Sequence, residues 1–112
     1  DEIYTSDFTR CVQTVSPLGE SRGLVVSKVP SLNEATFESD PERSISFANA
    51  LKQDERNILI CSHNPVIPTM LRGILNTKLK NKDLIKLEPG DAWLVHRFKG
   101  EIVALDYLSI SF

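Results

Sequence analysis

A guanidinium, an imidazole and a carboxylate in this sequence stand where each can meet a phosphate group. Arg10 follows the strand-like run Ile3-Tyr4-Thr5-Ser6 by one helical turn. Its planar fork suits two oxygens of a phosphate, and a helix N-terminus beside it adds unpaired N–H groups and partial positive charge. His63 closes the apolar run Asn57-Ile58-Leu59-Ile60-Cys61-Ser62 and precedes another helix. An imidazole there can donate to a phosphoryl oxygen, or act as a general acid or base near neutral pH. Glu34, in the loop Ser31-Leu32-Asn33-Glu34, is a proton donor or acceptor for the same site; Glu20, Glu38 and Asp40 compete for that role from similar loops. Ser6 and Asn64 flank Arg10 and His63 as further substrate-binding groups. Each residue also has a plain structural reading: Arg10 as a surface arginine paired with Asp7 or Glu2, His63 as a satisfied strand-end histidine.

The elements that must position these groups alternate between strand and helix. After the first strand, Asp7 can cap a helix whose apolar stripe is Phe8, Cys11, Val12, Val15 and Leu18, with Gly19 and Gly23 at its exit. Leu24 to Val29 has strand length and β-branched character, and Pro30 stops it. Asp40-Pro41-Glu42 opens a further helix that buries Ile45, Ala48 and Leu51. The run 57–62 is apolar on both faces, as a covered parallel strand is. Val66, Ile67, Met70, Leu71, Ile74 and Leu75 then form a broad helical face, with Pro65 and Pro68 confined to its first turn. Lys78 to Lys86 reads as a solvated connector. Ala92 to Phe98 and Glu101 to Leu108 flank Lys99-Gly100, a hairpin signal.

The expected architecture is therefore α/β: a three-layer sandwich with a mostly parallel sheet and an antiparallel edge, the C-terminal hairpin. Ligands in such sheets bind beyond the carboxyl ends of the strands, which is where Ser6, Arg10, Glu34, His63 and Asn64 fall.

The bulk numbers set the frame. The chain has 112 residues, enough for a single domain with one core, spanning 1–112. A net charge of −2 gives no electrostatic case for nucleic acid or an acidic membrane. No apolar run approaches membrane-spanning length. The two cysteines, Cys11 and Cys61, have no paired spacing and read as reduced core thiols of a cytoplasmic protein. Cys11, Cys61, His63 and His96 match no closed zinc pattern, so no metal site is expected; His96 reads as structural. There is no Gly-x-Ser-x-Gly and no Gly-rich phosphate loop.

Thr5-Ser6-Asp7-Phe8-Thr9-Arg10-Cys11-Val12-Gln13-Thr14 resembles the second block of the histidine phosphatase (phosphoglycerate mutase-like) superfamily: strand, serine, spacer, arginine, then a Gln-Thr helix. Ile60-Cys61-Ser62-His63-Asn64 resembles the later block that ends in an active-site histidine, and Leu32-Asn33-Glu34 the loop bringing the acid. The terminal Glu88-Pro89-Gly90-Asp91-Ala92-Trp93 is similar to small phosphohistidine-phosphatase-type domains and to those attached to Nudix hydrolases. The resemblance implies a phosphohydrolase with a phosphohistidine intermediate, Arg10 and His63 on the phosphoryl oxygens, Glu34 as acid and base, and no metal or other cofactor. It also implies a nucleophilic histidine in an Arg-His-Gly strand, which these residues do not contain. The expectation is thus an N-terminally incomplete domain, inactive alone, that lacks the family's central first strand and exposes strand edges. The expected partners are a phosphorylated small molecule or phosphoprotein, with self-association or an upstream Nudix-like domain covering the gap. The alternative is a non-catalytic remnant that binds a phosphate group or a partner.

Overall fold

The structure, a computed structural model, describes residues 1–75, 87, 88 and 91–109. The connector Lys78 to Lys86 and the Pro89-Gly90 pair before the hairpin lie outside the described residues. Glu2–Thr5 forms β1, Val26–Lys28 forms β2 and Ile58–Cys61 forms β3. They make one parallel sheet in the order β2-β1-β3, with Ile3 opposite Val26 on one side and Leu59 on the other. β1 bonds directly to both neighbours, which leaves β2 and β3 as the edges of this sheet. β3 is an edge strand in this sheet, and Leu59 is 40% exposed, so the covering read from its double apolar pattern is incomplete.

Side-chain alternation in β1 assigns the layers. Ile3 points toward α1 (Thr9–Arg22), which buries Cys11 and Val15 beneath it. A Cβ at Gly19 would lie 2.9 Å from both the Leu24 carbonyl oxygen and a Val26 methyl, so only glycine lets the helix come this near the sheet. Gly23, at φ 67°, ends α1 in the left-handed conformation and returns its N–H to the Gly19 carbonyl. On the opposite face, Tyr4 meets Phe47 edge-on with ring centroids 5.4 Å apart. That face holds α2 (Glu34–Ser39), α3 (Pro41–Leu51) and α4 (Val66–Ile74) over a core of Leu32, Ala48, Val66 and Met70. The fold is therefore α/β in three layers.

The hairpin strands β4 (Ala92–Phe98) and β5 (Glu101–Leu108) have the bounds expected, and Lys99 and Gly100 both take positive φ at the turn. They form a separate two-stranded sheet rather than an edge of the parallel one. The reason is packing: Trp93, Val95, Ile102 and Leu105 lie against Leu71 and Leu75 at the end of α4. The Arg97 guanidinium donates to the carbonyls of Leu51, Asp54 and Arg56, fastening the hairpin to the exit of α3.

Two local expectations also change. Asp7 does not cap α1; Phe8 occupies the cap position, with no side-chain cap bond, and the Asp7 carboxylate is engaged elsewhere. α3 begins at Pro41 as read, but its most buried residue is Ser44, whose hydroxyl donates to the Ser31 carbonyl.

Candidate functional site

The carboxyl ends of β1 and β3 bring Ser6 and His63 together across 57 residues of sequence. Both are deeply buried, Ser6 fully and His63 to 5% exposure, and Ser6 Oγ lies 3.0 Å from His63 Nε2. With Ser6 donating, the imidazole proton sits on Nδ1; with Nε2–H donating, it points at the serine. Either arrangement fixes the ring plane. Ser6 Oγ also accepts the Phe8 backbone N–H at 3.4 Å, so one hydroxyl joins the imidazole to the start of α1. Phe8 meets the imidazole edge-on at 4.9 Å between ring centroids.

Arg10 projects from the first turn of α1 and is exposed. Its guanidinium carbon lies 5.7 Å from the centre of the Phe8 ring. Among the described residues Arg10 makes no ion pair: Asp7 is bonded to Asn33, and Glu2 to Arg56. Asp7, Phe8, Thr9 and Arg10 line an open hollow of about 480 Å³ above the helix start.

Glu34 is the first residue of α2, half-buried, where the sequence suggested only a loop. Burial pushes His63 below the ordinary histidine value; Glu34 acts against that shift and Arg10 with it. A carboxylate, a guanidinium and an imidazole therefore sense one another at the rim of the sheet. Asn64 turns its amide to the Leu87 carbonyl at 2.5 Å, tying the β3–α4 turn to the segment before β4. His96, on the hairpin, pairs with Asp106 at 2.9 Å. Both cysteines are free, and burial first, with Cys11 second, pushes the Cys61 thiol up to about 12, leaving no thiolate nucleophile there at neutral pH.

The lowered His63 value has a consequence for stability. Folding favours the neutral ring, so the unfolded chain binds more protons between the two values. His63 thus contributes stability that is complete above pH 6.5, the unperturbed value, and is lost as pH falls through its lower folded value. Urea denaturation from pH 7.5 to 5.0 should show this slope in the native chain and a flatter profile in His63→Asn. Equal slopes would mean that the ring gains its proton without cost in the fold.

Sequence reasoning missed Phe8 and Asn33. Phe8 looked like core by its spacing with Cys11 and Val15, yet is 45% exposed against His63. Asn33 carried a usable signal, because a loop asparagine commonly binds nearby backbone groups.

The profile of the histidine phosphatase superfamily (branch 1) matches residues 1–43, which contain Ser6, Arg10 and Glu34. The chain is 25% identical over 107 residues to an 8-oxo-(d)GTP phosphatase of Mycolicibacterium smegmatis, covering 96% of this chain. The chain spans 33% of that relative's length. The two matches bear out the resemblance read from Ser6-Asp7-Phe8-Thr9-Arg10.

Proposed function

We propose that the rim formed by Ser6, Arg10, Glu34 and His63 is part of a phosphatase site of the histidine phosphatase type. The observation that carries this reading is Arg10: a guanidinium without a carboxylate partner among the described residues, beside an N-terminal helical turn and next to a buried imidazole. The phosphatase-type family match and the phosphatase-named relative support the reaction class.

The mechanism we infer is covalent. A histidine supplied from outside these residues attacks phosphorus in line, and the bond to the leaving oxygen breaks. Arg10 and His63 hold the equatorial oxygens, whose charge spreads in the transition state. Glu34 gives its proton to the leaving oxygen, then takes one from the water that cleaves the phosphohistidine. Ser6 keeps the His63 ring in plane, and Asn64 stands at the margin. The substrate is a phosphorylated small molecule or phosphoprotein; the relative's name makes a nucleoside phosphate the first to try. An adjoining Nudix-like domain, or self-association through the outward hairpin face with Leu94, Phe98 and Leu108 exposed, completes the proposed setting in the cytoplasm.

A second reading, a non-catalytic phosphate-binding remnant, is favoured by one observation. The chain's other histidine, His96, is on the hairpin with Asp106, so no second imidazole of its own stands beside His63. Hydrolysis of a small aryl phosphate separates the two, with the 112-residue chain and the longest polypeptide of its gene assayed side by side. Turnover that His63→Ala removes supports the phosphatase. Phosphate binding without turnover in either protein supports the remnant, and absence of both overturns the site.

A further inference from the structure

The hollow above α1 contains a contradiction in its charges. Asp7 and Arg10 both line it, three residues apart, and the simplest expectation is that they pair. They do not, because the Asp7 carboxylate is held by a different residue. The Asn33 amide makes two reciprocal bonds: its Nδ2 donates to Asp7 Oδ2 at 2.8 Å, and its Oδ1 accepts the Asp7 backbone N–H at 2.8 Å. An amide carries a donor and an acceptor on the same carbon, which is what a backbone N–H and its own carboxylate require together.

Asn33 is itself held in place. The Ser62 hydroxyl donates to the Leu32 carbonyl at 2.6 Å and the Ser44 hydroxyl to the Ser31 carbonyl at 2.6 Å. Leu32 is fully buried. The amide therefore extends from a fixed stretch of backbone toward a loop that would otherwise choose its own partner.

We propose that Asn33 is a positioning residue that keeps the Asp7 carboxylate off Arg10, leaving the guanidinium free for a phosphate group. The inference rests on the reading of Arg10 as a phosphate ligand. In the absence of the Asn33 amide, Asp7 turns to Arg10, which lines the same hollow, and a phosphate must then break an internal ion pair before it binds.

The test is inorganic phosphate titrated into the chain, followed by the NMR shifts of the Thr9 and Arg10 amides and the Arg10 guanidinium. Asn33→Ala should weaken phosphate binding roughly threefold to fivefold, the equivalent of displacing an exposed ion pair. The double variant Asp7→Ala/Asn33→Ala should regain the lost affinity, because the competing carboxylate is gone. Asn33→Ser serves as a second variant if the alanine form is poorly folded. An unchanged affinity in Asn33→Ala, or a loss that the double variant does not recover, overturns the proposal. Arg10→Ala reports separately on the underlying site: if phosphate binds that variant as well as the native chain, the reading of Arg10 itself has failed.

Discussion

Arg10→Ala should reduce phosphate-monoester turnover by the assembled enzyme on the order of 100-fold, the usual cost of removing one preorganised charge contact. The same substitution should cost the chain no more than about 1 kcal/mol, since an exposed side chain with no ion pair among the described residues holds little of the fold together. Its contact with the Phe8 ring is worth only about 0.5–1 kcal/mol at an exposed position. A bidentate pair of charge-assisted hydrogen bonds exceeds that, at roughly 1.5–3 kcal/mol for each bond. Phosphate should therefore draw the guanidinium from the ring, and Phe8 acts as a resting place rather than a competitor. Arg10→Lys should recover part of the activity, through charge without the planar fork. A further readout comes from His63, which Arg10 helps hold below the ordinary histidine value. Removing the cation should let the imidazole titrate at higher pH. Native-like turnover in Arg10→Ala, or a marked loss of stability, would assign this arginine a structural role instead.

The parts of this molecule legible in its sequence are those written in local chemistry. The hairpin was given by two alternating runs around Lys99-Gly100, since the turn needs positive φ and glycine supplies it. Helix α4 was given by an apolar face with prolines only near its start. Arg10 and His63 could be placed because strand ends in an open sheet point at the same rim. What the sequence did not show depends on contacts between distant segments. Phe8 has the spacing of a core residue, and only the position of His63 turns it outward. Asp7 has the chemistry of a helix cap, and only the arrival of Asn33 from 26 residues away redirects it. Helix α2, six residues long with no fully buried side chain, has too little periodicity to be recognised without the loop that anchors it. The separation of the hairpin from the parallel sheet follows from which apolar face α4 offers, and no strand pattern encodes that.

Leu32→Ala should cost about 2–5 kcal/mol of stability, the range for truncating a buried leucine where the surroundings cannot collapse. Leu32 is fully buried among Ala48, Val66 and Met70, so the lost atoms leave a space bounded by α3 and α4. A domain of this size has only about 5–15 kcal/mol in total, so the change removes a large share. The consequence should not stop at stability. The Leu32 carbonyl accepts the Ser62 hydroxyl, and the next two residues are Asn33, which holds Asp7, and Glu34, which acts on His63. Loosening this anchor should free all three, so phosphate affinity should fall at temperatures well below the unfolding transition. Leu32→Met, which conserves most of the volume, should cost less than about 1.5 kcal/mol and keep phosphate binding. Urea denaturation and phosphate titration of the two variants measure both effects. A loss below about 1 kcal/mol in Leu32→Ala would mean that the core closes around the gap. Full phosphate affinity in a strongly destabilised Leu32→Ala would show that Asn33 and Glu34 are held by the Ser62 and Ser44 hydrogen bonds alone, without the apolar anchor beneath them.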